Sequence, residues 1–293
     1  MTFKHTSVLL NEAIEALNVK DGEKYIDATL GGAGHAAEII KRGGLVLGID
    51  KDSDALDFVC ENQKEHIETK RLIVAQGNFL DIKRIAQENK FLDVSGVLFD
   101  LGVSSYQLDE GERGFSLKGE ARLDMRMDRQ QELSAYHVVN SYSKDKLQEI
   151  FYLYGEEANA RQIAEAIHDA RRKVPIATTK ELSELIQTIP HKSEPIHPAT
   201  RVFQAIRIEV NDELGSEKKG LQDAVDVLKV GGRIVVISFH SLEDRIAKQL
   251  FSKMERESKG RVITKRPVTA SFDELNANKR ARSAKLRVFE KTS

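Results

Sequence analysis

Cysteine is nearly absent from this chain, since Cys60 is the only one among 293 residues. A single thiol excludes an internal disulfide framework and argues against a cysteine-based zinc site. Long apolar runs are also missing, because no window approaches the roughly 18 uncharged apolar residues of a membrane-spanning helix. The N-terminal segment lacks the apolar core and the small-residue cleavage site of a signal peptide. These absences predict a cytoplasmic protein with no membrane span.

Net charge is small, at −1, but it is unevenly distributed. Residues 256–293 hold 11 Lys and Arg against 4 Asp and Glu, so the remainder of the chain is acidic. A basic C-terminal segment on a nearly neutral chain favours a polyanionic partner. A solvated surface segment would have the same composition, and charge alone does not separate the two.

Apolar runs and helical patterns alternate through the first hundred residues. Strands are predicted at 24–28, 45–50, 71–75 and 94–100. Amphipathic segments at 34–42, 53–63 and 80–89 separate them and predict helices. This alternation is typical of right-handed βαβ units that build a parallel sheet covered on both faces.

The alternation stops after Asp100 and resumes about a hundred residues later. The intervening chain has no convincing buried strand, but helical runs occur near 134–153, 156–172 and 178–188. A helix, a Gly231-Gly232 turn and a buried strand then follow, and "AKLRVFE" predicts a last strand. The sequence therefore predicts an α/β, Rossmann-like core at 1–104 and 205–293, interrupted by a mostly helical inserted domain at 105–204.

A glycine-rich turn, "LGGAGH", follows the first predicted strand. The full G-x-G-x-x-G pattern of a dinucleotide site is absent, because position 37 is alanine. Asp27 lies inside the preceding strand, where a buried carboxylate needs a partner. This carboxylate would repel a pyrophosphate, whereas it would pair with an amino group.

The ends of the next three predicted strands carry further candidate ligand-binding residues. Asp50 could accept hydrogen bonds from both hydroxyls of a ribose, or instead cap the following helix. Phe79 could pack against an adenine, with Asp81 as cap of the next helix. Because ligands of open α/β sheets bind beyond the carboxyl ends of the strands, Asp100 would join them at one edge. A ligand with an amine, a ribose, an adenine and no phosphate is S-adenosylmethionine (SAM), whose sulfonium charge suits an acidic edge.

Long motifs extend this interpretation. The stretches "KHTSVLLNEAIEAL", "DATLGGAGH", "DLGVSSYQLDEGERGFS", "LDMRMD", "YGEE", "HPATRVFQAIRIEVNDEL", "ISFHSLEDR" and "ARSAKLR" occur in this order in the RsmH (MraW) family, which the sequence resembles over essentially its whole length. The resemblance implies a SAM-dependent methyltransferase that modifies N4 of a cytidine at the decoding site of small-subunit ribosomal RNA. It also implies that the helical insertion recognises RNA. No metal is expected.

The resemblance assigns the cofactor contacts residue by residue. They fall on Ala33, Gly34, His35, Asp50, Phe79, Asp100 and Gln107. His35 and Gln107 come only from the resemblance. The chain departs from it at two positions, with Ala33 where relatives often have glycine and Tyr106 where they often have proline.

Asp100 is the candidate catalytic residue, because an acceptor near the cytosine amine would stabilise the charge that develops on nitrogen. Asp100 could instead serve the cofactor alone, or cap the following turn. A covalent attack on C5 of cytosine would need a thiolate. Cys60 is predicted on the apolar face of its helix, which argues against that route.

Several residues are candidates for RNA contact. In the loop after the fourth strand these are Arg113, Phe115, Arg126 and Arg129, although each arginine could equally form a salt bridge with a neighbouring acid. Arg201 lies on a polar helical stripe with Gln204, Arg207 and Asn211, and this stripe could face a cleft. Near the C-terminus the candidates are Arg280, Arg282 and Arg287, by charge only.

Three other functions are compatible with parts of the sequence. A methyltransferase with the same core could act on a protein or a small molecule. An NAD-dependent oxidoreductase is disfavoured by the glycine loop and Asp27. A non-catalytic RNA-binding assembly factor would share the basic C-terminal segment but would not bind SAM. The sequence does not indicate an oligomeric state.

Overall fold

The computed structural model describes residues 7–103, 111–117, 119–190 and 196–293. The chain divides into two compact units, one formed by Met1–Gly102 with Leu214–Ser293 and the other by Val103–Glu213. The first unit is an α/β sheet domain and the second is mostly helical. This architecture confirms the predicted fold class.

One mixed sheet forms the centre of the first unit. Its strands are β1 (Lys24–Asp27), β2 (Leu45–Asp50), β3 (Leu72–Gln76), β4 (Val94–Asp100), β5 (Leu228–Ser238), β6 (Gly260–Val262) and β7 (Lys285–Lys291). They are ordered β3-β2-β1-β4-β5-β7-β6 across the sheet. Strands β1 to β5 pair in parallel, whereas β7 pairs antiparallel with both β5 and β6.

Thirteen α-helices are present in the described part of the chain. They are α1 (Leu10–Leu17), α2 (Gly34–Lys41), α3 (Ser53–Asn62), α4 (Lys64–Glu68), α5 (Ile82–Glu88), α6 (Ala135–Ser141), α7 (Lys144–Leu153), α8 (Ala160–Arg171), α9 (Thr179–Gln187), α10 (Thr200–Asn211), α11 (Glu213–Val227), α12 (Ser241–Arg256) and α13 (Phe272–Ala277). Within the described residues, none is long and apolar enough to cross a membrane.

The central strands are apolar on both faces because helices cover both faces. In β4, Phe99 packs into a core with residues of α5, α11 and α12, while the adjacent Leu98 packs into a second core with residues of α1, α2 and α3. In β5, Ile234 and Val235 divide between the two cores in the same way. This period-two division explains why the sequence of each strand is a continuous apolar run.

The predicted Gly231-Gly232 turn lies inside β5. Val94 pairs with Leu228 but Gly96 pairs with Arg233, so extra residues of β5 form a bulge between these pairs. Gly231 has a φ of 81°, a backbone conformation that a side chain would disfavour. The two glycines therefore form a bulge within β5, and they are not a turn between a helix and a strand as predicted.

Helices α6 to α10 surround a separate core in the second unit. The predicted helical run at 134–153 is two helices, because the Ser143 hydroxyl accepts a hydrogen bond from the Lys146 amide and starts α7. The second unit extends to Glu213, beyond the predicted boundary at 204. The reason is that α10 packs Val202 and Ile206 into this core, and helical periodicity does not show against which core a helix packs.

Candidate functional site

Three aspartates end neighbouring parallel strands at the carboxyl edge of the sheet. Asp27 is the last residue of β1, Asp50 of β2 and Asp100 of β4. Asp27 pairs with Gly48 on one side and with Leu98 on the other, so β1 lies between the other two strands. The sheet order thus brings together three carboxylates that are far apart in the sequence.

Asp50 connects the glycine loop to the end of β2. One carboxylate oxygen accepts a hydrogen bond from the Gly31 amide at 2.8 Å, and the other accepts from the Asp52 amide at 3.0 Å. The cap of α3 is Asp52, which accepts from the Asp54 amide, so Asp50 is not the helix cap. Each carboxylate oxygen has a second lone pair, which leaves capacity to bind a ribose hydroxyl.

Ala33 precedes α2 in a left-handed conformation, with φ 62° and ψ 24°. This conformation costs a residue with a Cβ roughly 1 kcal/mol compared with glycine. The Ala33 side chain is buried, and Gly34 opens the helix directly after it. Ala33 therefore keeps a glycine-like turn although it is not glycine.

Asp27 and Asp100 are acidic side chains with an unusual environment. Asp27 is 1% exposed, and burial together with the charge of Asp50 raises its pKa to about 7. Burial, then the charges of Asp27 and Glu243, raises the pKa of Asp100 well above its ordinary value. Among the described residues, Asp27 Oδ2 and Asp100 Oδ1 are buried without a hydrogen-bond partner. Such atoms are costly unless a ligand supplies donors or positive charge.

His35 lies beside Asp100 Oδ2, the carboxylate oxygen other than the unpartnered Oδ1. Its Nδ1 lies 3.7 Å from Asp100 Oδ2, and its Nε2 lies 3.3 Å from the Val8 carbonyl oxygen. The Asp100 amide donates to Thr29 Oγ1 at 2.6 Å. The His35 ring thus faces the Asp100 carboxylate, and the Thr29 hydroxyl holds its backbone. Thr29 lies within the motif "DATLGGAGH" but was not among the predicted site residues.

Phe79 lies where β3 ends, at the start of a 3₁₀ turn. Its ring meets Phe99 edge to face, with centroids 5.6 Å apart. The helix α11 lies close to Phe79 at Gly220. A Cβ at that position would lie 2.8 Å from the Phe79 ring and 3.0 Å from the Phe79 carbonyl oxygen, so a larger residue would not fit. No sequence pattern indicated Gly220, because its contact with Phe79 joins distant segments.

The predicted cap at Asp81 is wrong. Its side chain makes no cap hydrogen bond to α5 and instead pairs with Arg84 at 3.3 Å. Asn78 caps the preceding 3₁₀ turn by accepting from the Leu80 amide. Because a 3₁₀ turn precedes α5, the side-chain cap is at the start of that turn, on Asn78, and not at Asp81.

His240 and Glu243 meet at the start of α12. His240 Nδ1 accepts from the Glu243 amide, and Glu243 Oε2 accepts from the amides of Phe239 and His240. These hydrogen bonds form a capping box at the start of the helix. Glu243 also raises the pKa of Asp100, which makes it a further acidic neighbour of the candidate site.

Gln107 lies outside the described residues. The other predicted cofactor residues are connected by the contacts above: Asp50 through Gly31 to the loop that holds Ala33 and Gly34, His35 to Asp100, and Phe79 to the strand that ends at Asp100.

Two residues predicted to contact RNA are buried inside the second unit and make contacts there. Arg113 is buried and donates to the carbonyl oxygens of Arg126 and Met127 at 2.8 and 3.2 Å. Phe115 packs in the core of this unit beneath the Arg113 guanidinium. Both predictions are wrong for this reason, whereas Arg129 is exposed.

Arg126 forms the salt bridge that the sequence allowed. It donates to both carboxylate oxygens of Asp124, at 2.8 and 2.9 Å. It also donates to the carbonyl oxygens of Arg129 and Gln131. All of these partners lie in the second unit, so Arg126 stabilises its loop.

The polar stripe of α10 is also satisfied internally. Gln204 donates to the Tyr154 carbonyl oxygen, and Arg207 pairs with Glu213 through two hydrogen bonds. Asn211 accepts from the Met127 amide and donates to the Met125 carbonyl oxygen. The prediction of a cleft-facing stripe is therefore wrong for these three side chains, and Arg201 is half-buried.

Two further expectations need correction. Arg287 is buried and pairs with Asp244 at 2.6 and 3.2 Å, so it is not a phosphate contact. Cys60 is exposed, although it was expected on the apolar face of its helix. The buried arc of α3 comprises Ala55, Leu56 and Val59, and Cys60 lies beyond the edge of that arc.

Known proteins match the whole chain. The model of the MraW methylase family matches residues 2–292. A protein of Brevibacillus brevis named ribosomal RNA small subunit methyltransferase H is 47% identical, with 99% of each chain covered. A protein of the same name from Carboxydothermus hydrogenoformans is 49% identical over 100% of this chain and 99% of its own. The one from Clostridioides difficile is 46% identical over 99% of this chain and 100% of its own. The chain belongs to the MraW methylase family.

Proposed function

We propose that this protein transfers a methyl group from SAM to N4 of a cytidine in the RNA of the small ribosomal subunit. The observation that carries the proposal is the pair of unpartnered buried oxygens, Asp27 Oδ2 and Asp100 Oδ1, beside a glycine loop in a chain of the MraW methylase family. Its relatives are named ribosomal RNA small subunit methyltransferases, which supports RNA as the substrate.

The residues present fit SAM. Asp27 would pair with the α-amino group, and Asp50 would accept hydrogen bonds from the ribose hydroxyls. Phe79 would pack against the adenine, and the backbone at Ala33 and Gly34 would approach the ligand closely. When bound, the donor supplies an electrophilic methyl group on a positively charged sulfur. A positively charged donor favours the ionised form of these carboxylates, whereas a pyrophosphate would be repelled by it.

Asp100 would act on the cytosine amine. The lone pair of N4 is delocalised into the ring, so a hydrogen bond from the amine to Asp100 Oδ1 would help localise it. The nitrogen would gain a bond to the methyl carbon as the carbon–sulfur bond of the donor breaks and leaves a neutral thioether. It must also lose one proton, and Asp100 Oδ1 is the proposed acceptor. Its raised pKa makes the carboxylate a stronger base at neutral pH than an ordinary aspartate. His35 would keep the carboxylate oriented, and Thr29 would hold the Asp100 backbone through its amide.

The test is transfer of a labelled methyl group from SAM to unmodified small ribosomal subunits, with mass spectrometry of the nucleosides. We expect N4-methylcytidine in the RNA and no label in the ribosomal proteins. Naked small-subunit RNA serves as a second substrate, to distinguish free RNA from the assembled particle. Calorimetry should detect binding of SAM and not of NAD. Labelled protein without labelled RNA would contradict the substrate, and lack of SAM binding would contradict the enzymatic function.

A further inference from the structure

Residues 263–285, here called the C-terminal strap, form backbone hydrogen bonds with β7. The Ile263 amide donates to the Val288 carbonyl oxygen at 3.0 Å. Val268 and Leu286 exchange two backbone hydrogen bonds, at 2.9 and 2.8 Å. Ala281 and Ala284 are buried in the same core as α1 and α2. The strap is therefore a packed part of the first unit.

Four cations of the strap are exposed and have no ion-pair partner within the described chain. They are Lys265, Arg266, Lys279 and Arg282. By contrast, Lys285 and Arg287 share Asp244, and the strap's Glu274 accepts from the Leu9 amide. The positive charge of these four side chains is consequently available to a polyanion.

These cations are close enough to serve one ligand. Arg266 is two residues from Val268, and Arg282 is four residues from Leu286, to which Val268 is bonded. Since an extended chain spans at most about 3.6 Å per residue, the Cα atoms of Arg266 and Arg282 lie within about 27 Å. A few nucleotides of a single strand can span such a surface.

An exposed aromatic ring accompanies the cations. Phe272 is 77% exposed, the largest value among the exposed large apolar side chains of the described residues. Exposed aromatics beside basic side chains are typical of surfaces that bind unpaired RNA, where a base stacks on the ring.

The strap lies close to Asp100. Asp100 pairs with Ile237 and Ile237 pairs with Leu286, so the backbone of Leu286 is two strands, or about 10 Å, from that of Asp100. A second connection runs through the N-terminal segment, because Leu9 bonds to Glu274 and the neighbouring Val8 carbonyl contacts His35. RNA held on the strap would be at the same edge of the sheet as the proposed catalytic carboxylate.

We propose that the C-terminal strap is a binding surface for single-stranded RNA, on which Lys265, Arg266, Lys279 and Arg282 contact phosphates and Phe272 stacks on an unpaired base. This inference rests on the proposed function, because it assumes that the substrate is RNA. It adds a defined surface, in the first unit, that delivers the target strand to Asp100.

The first test removes charge. In the full chain, Lys279→Gln/Arg282→Gln is compared with Lys64→Gln/Arg71→Gln, a matched pair of exposed cations next to β3 at the opposite edge of the sheet. Binding of a single-stranded RNA oligonucleotide of mixed sequence is measured at several salt concentrations. We expect the strap variant to bind about tenfold more weakly, with a log–log salt slope less steep by about 1.4 because two phosphate contacts are lost. The control variant should bind as the wild type does.

The second test removes the ring. Phe272→Ala should weaken RNA binding about tenfold through loss of stacking. Tyr152→Ala is the matched control, because Tyr152 is an aromatic residue of α7 that is 68% exposed. Both variants should retain the wild-type melting temperature and SAM affinity, since neither side chain is packed. Crosslinking of the wild-type protein to RNA, with mass spectrometry of the peptides, should place crosslinks in the strap.

The outcomes separate this inference from the proposed function. If the wild type methylates RNA but strap and control variants bind RNA equally and crosslinks fall elsewhere, the strap inference is wrong. If the strap variants lose binding to assembled subunits but not to RNA, the strap contacts a ribosomal protein and the inference is also overturned. If the wild type transfers no methyl group to RNA, the proposed function fails, whatever the strap binds.

Discussion

The two units of this protein differ in what their polar side chains bind. In the second unit, Arg126 pairs with Asp124 and Arg207 pairs with Glu213, each through two hydrogen bonds. In the sheet unit, Asp27 and Asp100 each keep a buried oxygen without a partner among the described residues. Native structures rarely leave such atoms unsatisfied without a reason.

The difference separates carboxylates that already have partners from carboxylates that are available to a ligand. Burial raises the pKa of Asp27 and Asp100, whereas Asp124, although burial opposes it, has a pKa lowered by hydrogen bonds from Arg126. A carboxylate that already has its partners stabilises a fold, and one that lacks them is available to a ligand. The comparison predicts that equivalent substitutions in the two units will affect different properties.

The largest effect is expected from Asp100→Asn. The amide keeps the shape but cannot take a proton, so we expect kcat for methyl transfer to fall about 10²–10³-fold while SAM affinity changes little. The matched variant in the second unit is Asp124→Asn, which should lower the melting temperature and leave SAM affinity unchanged. Normal turnover of Asp100→Asn on small subunits would remove Asp100 from the chemistry.

Asp50→Ala should weaken SAM binding by about 10- to 100-fold, measured by calorimetry. The variant loses an acceptor for the ribose and also the hydrogen bond that holds the Gly31 amide. The circular dichroism spectrum should stay that of the wild type, because the Asp50 side chain is not part of a core. Unchanged SAM affinity would contradict the ribose assignment.

Asp27→Asn should change how stability depends on pH in the absence of SAM. With a folded pKa of about 7 and an ordinary value of 3.8, folded Asp27 holds a proton that the unfolded chain has released between these values. Stability therefore falls as pH rises through this window. From about pH 5 to pH 8, the wild type should lose about 2 kcal/mol relative to Asp27→Asn. Urea unfolding at both pH values measures this, and an equal difference at both would contradict it.

Arg126→Gln should destabilise the protein by about 2 kcal/mol, because the variant leaves Asp124 without its guanidinium partner. SAM affinity should not change, since the contacts of Arg126 lie within the second unit. Urea unfolding and calorimetry on the same sample separate the two properties. If Arg126→Gln bound SAM more weakly without being less stable, the proposed structural role of Arg126 would be contradicted.

Cys60→Ser should have the smallest effect, within about 0.5 kcal/mol in stability, because the thiol is exposed. Methyl transfer should proceed at the wild-type rate, as no thiolate takes part in the proposed reaction. An inactive Cys60→Ser enzyme would instead indicate a covalent route through C5 of cytosine.

Local patterns were sufficient for six of the seven strands and for the candidate ligand edge, whereas β6 and the antiparallel pairing of β7 were not predicted. The apolar runs that end in Asp27, Asp50 and Asp100 predicted strands, and parallel strands place their carboxyl ends at one edge. His35 was assigned only through the family motif, and the structure places it against Asp100. The loop at Ala33 keeps its turn, which composition alone could not show.

Partners between distant segments could not be predicted. Arg287 is buried against Asp244, which lies far from it in the sequence, although the charge of Arg287 suggested a phosphate contact. For Arg126 the sequence left both RNA and a neighbouring acid open, and the structure shows the pair with Asp124. Cys60 was misplaced because periodicity indicates the direction of an apolar face but not how wide the buried arc is.

The sequence by itself therefore determined most of the strands and helices, their alternation and which acids end the strands, because these depend on residue spacing along a single strand or helix. Only the tertiary structure decided which of those acids have partners, how far the second unit extends, and that Leu286, which follows the C-terminal strap, lies about 10 Å from Asp100. The physical reason is that burial and pairing depend on contacts between segments that are far apart in the sequence, as where β7 lies between β5 and β6 in the sheet.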